Sequence, residues 1–162
     1  MQRRIDVERL KAIRRIRGVK LQDIATALGY SAHTQVSSWL KGQATPPPEK
    51  LPALADALGE HIDDLFPREG EPDLADLRCD AGVARKDIPE ILGTRSSVPV
   101  SNAERGKRRL DPAFVGLLAE AYGVTADEVL AAQNRSFGET QEPRVSGRKG
   151  RRPPWPRRSI TC

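Results

Sequence analysis

Residues Leu10 to Phe66, moved forward by 64 positions, fall without a gap on Leu74 to Leu130, and 17 of the 57 aligned positions are identical. An internal period of this length constrains the fold more than any composition does, because it demands two small units built to one plan. The identities stand where such a unit must fix its backbone or its core. Glycines recur at Gly18/Gly82, Gly29/Gly93, Gly42/Gly106 and Gly59/Gly123, and apolar positions at Leu10/Leu74, Ile24/Ile88, Leu28/Leu92, Val36/Val100 and Leu54/Leu118. Arg14/Arg78, Asp23/Asp87 and Pro48/Pro112 complete the frame. A 57-residue unit is near the size at which burial is only about 60% of the unfolded surface, so each copy is expected to be marginal alone.

Apolar spacing predicts the elements. Val7, Leu10, Ile13 and Ile16 give a first helix over residues 6–17, stopped by Gly18; Leu21, Ile24, Ala25 and Leu28 give a second over 20–28, stopped by Gly29. After the turn Gly29-Tyr30-Ser31, a third helix is predicted over 32–41. Val36, Trp39 and Leu40 share one face there, and His33, Thr34, Gln35 and Ser38 lie largely away from it. Pro48 suits the first turn of a fourth helix reaching Leu58, and a short fifth follows at 62–66. The second copy repeats the punctuation, so equal helix lengths are expected. Pro89 and Pro99 depart from the first copy near helix starts, Pro89 being the less comfortable. The organisation expected is a first unit at 1–66, a linker at 67–71, a second unit at 72–134 and a Pro/Arg-rich basic tail at 135–162, disordered in isolation.

The net charge of +5 is unevenly placed. Residues 1–66 carry 10 basic and 8 acidic side chains, residues 67–134 carry 9 and 12, and residues 135–162 carry 8 and 2. The basicity therefore belongs to the tail, and nucleic-acid binding by the repeats has to rest on local geometry. Cys79 and Cys162 form no repeated spacing, so neither a disulfide framework nor a zinc site is expected. With His33 and His61 the only histidines, no metal set assembles, and no nucleophile motif or catalytic constellation is present; no cofactor and no enzymatic activity are expected. The opening MQRRIDVERL lacks an apolar signal region and no stretch approaches the roughly 20 apolar residues that span a bilayer, so no membrane partner is expected.

The segments LQDIATALGYSAHTQVSSWLKGQATPPPEKLPALADALG and ARKDIPEILGTRSSVPVSNAERGKRRLDPAFVGLLAEAYG resemble the phage-repressor and Cro-like (XRE-type) helix-turn-helix family over about 120 of 162 residues. The resemblance is carried by Ile24-Ala25 before Leu28-Gly29, by Val36-Ser37, by Lys41-Gly42, by Leu54-Ala55-Asp56-Ala57-Leu58-Gly59, and by Glu104-Arg105-Gly106-Lys107. It implies an all-α fold of two tandem five-helix lambda-repressor-like domains. This chain departs from the family pattern in having one residue more before the central Val of each third helix. It also has Leu40 where the family usually has Glu, and Ala103 where a large apolar residue is usual.

A helix, a glycine turn and a second helix with an outward polar face are how a protein presents side chains to a major groove about 12 Å wide. The resemblance places base-reading groups at His33, Thr34 and Ser38, with Gln35 beside them, and at Ser97, Val98 and Asn102 in the second copy. Phosphate contacts are expected from Gln22, Lys41, Gln43, Arg95, Arg105, Lys107, Arg108 and Arg109. Arg14 is expected to reach an acidic partner or a phosphate, Arg15 and Arg17 to face water, Trp39 to lie in the core and His61 to take a turn or cap role. Arg144, Arg148, Lys149, Arg151, Arg152, Arg157 and Arg158 around Trp155 are expected to run along phosphates or insert into a minor groove.

The function expected is sequence-specific double-stranded DNA binding by a cytoplasmic, nucleoid-associated transcriptional regulator. Two alternatives stand beside it. The acidic second copy serves as a protein-interaction or dimerisation module, or the chain is an antitoxin or restriction controller.

Overall fold

A computed structural model describes residues 3–140 of the chain, which are helical and, among the described residues, without strands. Helices α1 (Val7–Arg17), α2 (Leu21–Ala27), α3 (Thr34–Leu40), α4 (Leu51–Leu58) and α5 (Ile62–Leu65) make the first half. Helices α6 (Leu74–Asp80), α7 (Ile88–Leu92), α8 (Val98–Glu104), α9 (Pro112–Tyr122) and α10 (Ala126–Thr140) make the second. Each half has its own core. Leu10, Ile24, Val36, Leu54, Leu58 and Leu65 lie in the first, and Leu74, Ile88, Val100, Leu118, Tyr122 and Val129, their equivalents 64 residues on, lie in the second.

Local chemistry sets the helix ends. The Asp6 carboxylate accepts from the N–H groups of Glu8 and Arg9, starting α1, and Gly18 at φ +67° ends it. Before α6, Asp73 and Asp76 satisfy each other's backbone N–H in a reciprocal cap. His61 caps α5 by accepting at Nδ1 from the Asp63 N–H at 3.4 Å. In the second half a single 3₁₀ turn, Arg85–Asp87, precedes α7, so that Pro89 falls in the first turn of a helix of five residues, where its missing N–H leaves nothing unpaired. Pro99 sits likewise in the first turn of α8.

Three expectations are corrected. Ile16, which the apolar spacing groups with Leu10, does not share its inward face: the residue is 82% exposed. At 3.6 residues per turn, two steps of three carry Ile16 about 120° around the helix from buried Leu10, and Arg14, four residues from Leu10, takes the inward position instead. The helix lengths do not match either. Helix α1 has 11 residues against 7 in α6, whose start is delayed by Pro72 and the Asp73 cap, and α5 has 4 against 15 in α10. Pro67 ends α5, whereas the equivalent chain continues Ala131-Ala132-Gln133 as good helix.

Third, residues 135–140 are not part of an extended tail. They complete α10, and several of them are built into the second half. Ser136, buried, accepts at Oγ from the Leu74 N–H at 3.1 Å, and Arg135 donates to the Pro72 carbonyl at 2.7 Å. One turn earlier, buried Gln133 accepts from the Leu110 N–H at 2.7 Å. The basic residues from Arg144 to Arg158 and Trp155 lie outside the described residues.

The halves meet through α6, which packs against α4 and the 3₁₀ turn Pro48–Lys50 before it. Beside the joint an open cleft of about 770 Å³ runs between the Pro46-Pro47-Pro48 segment and the face of α6 bearing Cys79 and Asp80. Neither α3 nor α8 takes a principal part in the joint.

Candidate functional site

The corner between α2 and α3 is made rigid from one side only. Ile24, Ala25 and Leu28 are buried, and Gly29 at φ +79° turns the chain so that the Tyr30 N–H donates to the Ala25 carbonyl at 2.8 Å. Tyr30 then packs edge-on against Trp39 of α3, with ring centroids 5.8 Å apart. Lys50 closes the corner from below, donating to the Leu28 carbonyl at 3.0 Å with its ammonium 5.7 Å from the Tyr30 ring centre. Trp39, 2% exposed, is core as expected.

With Val36 and Trp39 facing inward, α3 turns His33, Thr34 and Gln35 to solvent; His33 is the residue before the first helical turn. Ser38 is half-buried, and its hydroxyl donates to the Thr34 carbonyl at 3.0 Å, leaving its lone pairs as acceptors. Gln22, at the start of α2, donates from Nε2 to the Ser31 carbonyl at 3.3 Å, which holds it against the corner. Lys41 and Gln43 stand exposed just past the C-terminus of α3. One exposed edge thus brings together the polar α3 residues and, at its ends, Gln22, Lys41 and Gln43.

The same sequence of elements brings Ser97, Val98 and Asn102 onto α8. Val98 is 57% exposed, while Ser97 and Asn102 are half-buried. Arg95, Arg105, Lys107 and Arg108 are exposed around the two ends of this helix. Arg109 is also exposed, but its guanidinium is engaged by α10. It donates to Asn134 Oδ1 at 2.7 Å and lies 4.8 Å from the centre of the Phe137 ring.

Two features of the site are absent from the sequence-based residue set. Glu104, at the C-terminal end of α8, is buried and receives Arg78 Nε at 2.6 Å and Arg85 Nη2 at 3.3 Å, which ties the helix to α6. Burial works most strongly against the Arg78 charge, but the hydrogen bond to Glu104 and the attraction of its carboxylate together outweigh it, so the guanidinium is held more firmly charged than usual. The identity of Arg14 with Arg78, set against Leu40 opposite Glu104, was the available signal. Among the described residues Arg14 correspondingly pairs with no acidic side chain, and donates to the Val19 carbonyl at 3.2 Å. The second feature is the group of charges at the joint, centred on Asp80, for which the repeat offered no signal because, Asp63 apart, its members lie outside the repeated identities.

Among the described residues no three His, Cys, Asp or Glu side chains are placed to hold a metal ion, and no helix is long and apolar enough to cross a membrane. Compared with known families, residues 10–65 match a helix-turn-helix family model. No curated protein and no solved structure matches the chain.

Proposed function

We propose that this chain is a nonenzymatic, sequence-specific regulator of transcription that binds double-stranded DNA through two tandem helix-turn-helix units, one in residues 1–66 and one in residues 72–140. The helix-turn-helix match over residues 10–65 supports the first unit. The second is supported by register: α8 and α9 begin and end 64 residues after α3 and the Pro48–Leu58 segment, and Gly82, Gly93, Gly106 and Gly123 all take the positive φ of their counterparts.

The observation that carries the proposal is the exposed edge of α3. His33, Thr34 and Gln35 are held at a corner locked by Gly29, Tyr30 and Lys50, while the inward face is filled by Val36 and Trp39. An imidazole, a hydroxyl and a carboxamide exposed at the N-terminal end of one helix offer the donors and acceptors that base edges in a major groove require. Gln22, Lys41, Gln43, Arg95, Arg105, Lys107 and Arg108 supply backbone contacts that set register without reading sequence. Such a protein works as a cytoplasmic, nucleoid-associated repressor, occupying its site against a polymerase.

The test is selection of bound duplexes from a random pool, followed by gel-shift titration. The wild-type chain is expected to prefer its selected duplex over random duplex by roughly 10³ or more. The His33→Ala/Thr34→Ala/Gln35→Ala variant is expected to lose most of that preference while keeping the salt-sensitive nonspecific affinity. Equal selectivity of the two proteins rejects the proposal.

A second reading is favoured by one observation. Leu117 and Leu130 are each 42% exposed on the second half, where Val98 is also bare. In that reading the second half is a protein-interaction or dimerisation module and only the first binds DNA. Footprinting with each variant helix, α3 or α8, decides: loss of protection in both cases supports tandem binding, and loss in α3 variants alone supports the second reading.

A further inference from the structure

The joint between the halves is built around one carboxylate. Arg3, in the segment before α1, donates from Nε and Nη2 to the two oxygens of Asp80 at 2.9 and 3.0 Å. Its Nη1 donates to Asp63 Oδ1 at 2.7 Å and to the Phe66 carbonyl at 2.8 Å. Arg68, from the linker, donates through Nη2 to both Asp80 oxygens at 2.7 Å and has Asp76 Oδ2 3.8 Å from its Nε. The Arg3 and Arg68 side chains are each 7% exposed, and Asp80 27%. The Arg4 N–H donates to the Pro67 carbonyl at 2.9 Å, fastening the N-terminal segment along the linker.

This arrangement is not something the repeat carries with it. The equivalent of Asp80 in the first half is Ile16, and the positions 64 residues beyond Arg3 and Arg68 are Pro67 and Ala132. Asp63 recurs as Asp127 and Arg68 follows Arg4 by 64 positions, but the carboxylate at the centre, Asp80, is not repeated. A five-residue linker by itself leaves two small units free to rotate. Bidentate arginine–carboxylate pairs, shielded from water on the arginine side, instead fix distance and angle together. The pairs join the end of the first half (Asp63, Phe66) to the last residue of α6, the helix to which Arg78 and Glu104 fasten α8.

We infer that Arg3, Asp80 and Arg68 are specificity-determining positioning residues: they hold α3 and α8 at one separation and one angle, so that the chain reads a composite site of a single half-site spacing. The inference rests on the tandem DNA-binding reading. With a fixed joint the second unit docks at high effective concentration when the spacing is right and not at all when it is wrong; a loose joint accepts several spacings at lower affinity.

Two measurements test it on the full-length chain. Residual dipolar couplings of the free protein are expected to fit one alignment tensor for the amides of both halves. Arg3→Ala and Asp80→Asn, tested separately, are expected to leave each core's amide spectrum intact; Arg3 precedes α1 and belongs to neither core. At least one of them is expected to require two tensors. Gel shifts on the selected duplex, lengthened or shortened by one to five base pairs between half-sites, are expected to cost the wild type about 100-fold in affinity at half a helical turn. The decoupled variant is expected to bind the original duplex less tightly and to vary much less across the series.

Two tensors in the wild type, one tensor in both variants, or a wild type that tolerates every spacing overturns the inference alone. Failure of the chain to select any duplex overturns the DNA reading beneath it, and this inference with it.

Discussion

Arg78 and Glu104 form a buried ion pair, Nε to Oε1 at 2.6 Å, with side chains 4% and 3% exposed, joining α6 to the end of α8. In the first half the arginine is retained as Arg14 and the carboxylate is replaced by Leu40. Both arginines still donate from Nη1 to the carbonyl after the helix stop, Arg14 to Val19 at 3.2 Å and Arg78 to Val83 at 2.9 Å. Arg14 Nε is buried, and no described residue accepts from it. One architecture thus anchors its third helix by charge in one half and by apolar contact in the other.

The two arginines are therefore expected to respond differently to the same change. Removing one partner of a buried pair strands the other charge, at about 3 to 5 kcal/mol, so Arg78→Met is expected to destabilise by that order. Arg14→Met strands no carboxylate: it loses one hydrogen bond from a charged donor to a carbonyl, about 1.5 to 3 kcal/mol, and removes a buried Nε that has no described partner, so the net loss is expected to be clearly smaller than at Arg78. Urea unfolding followed by amide signals from each half measures both. Equal losses at the two positions contradict the assignment.

Gly29 is the corner of the first helix pair, and its φ of +79° lies in the region that L residues avoid. A Cβ placed there meets nothing within 4 Å, so the cost of Gly29→Ala is backbone strain alone. About 1 to 2 kcal/mol is expected, and chemical denaturation measures it. A neutral outcome indicates that the corner relaxes and does not fix α3.

Much of this architecture is legible in the sequence because it is written twice. Gly29 with Gly93 and Val36 with Val100 mark the same corner and the same inward face, and two independent occurrences of a pattern outweigh one. What escapes is what the repeat does not copy. Asp80 stands opposite Ile16, and its partner Arg3 is 77 residues away in the chain, so no local period records their contact. Ile16 misleads because three-residue spacing imitates a helical face over one turn and drifts off it over two. The 135–140 segment misleads because its composition is polar, while its order comes from tertiary bonds such as Ser136 to Leu74. Trp39 and Ala103 exchange large for small while Leu58 and Tyr122 exchange in the opposite sense, a compensation that is visible only once both pairs are known to share a core.

Cys79 lies at the cleft beside the joint, and burial pushes its thiol up to about 11, the nearby Arg78 charge offsetting this only in part. The thiolate is the reactive form, so alkylation at pH 7 to 8 is expected to be slow. Iodoacetamide labelling with peptide mapping is expected to show Cys79 reacting far more slowly than an unhindered thiol, and faster in Asp80→Asn if the joint opens. Rapid modification of the wild type contradicts a half-buried thiol held in its protonated form.

Asp63 is held below the usual carboxylate range, chiefly by its hydrogen bond from Arg3. A carboxyl whose folded value is depressed contributes stability above its unfolded value, near 3.8, and loses it as pH falls through the lower folded value. Asp63 is 63% exposed, so the contribution is small, at most about 1 kcal/mol. The difference in Tm between wild type and Asp63→Asn is expected to be constant from pH 5 to 8 and to vanish in stronger acid. A difference that instead grows toward acid pH excludes the pairing.

The basic run after α8 separates two kinds of arginine and lysine. Lys107 and Arg108 are exposed, whereas Arg109 spends its guanidinium on Asn134 and the Phe137 ring. Each phosphate neutralised adds about 0.9 to the slope of log affinity against log salt. Lys107→Ala and Arg108→Ala are each expected to lower that slope by about one unit with the melting temperature unchanged. Arg109→Ala is expected to lower the melting temperature through lost contacts with α10 and to change the slope much less. A full unit of slope lost at Arg109, with no change in stability, places its charge on the DNA and not on α10.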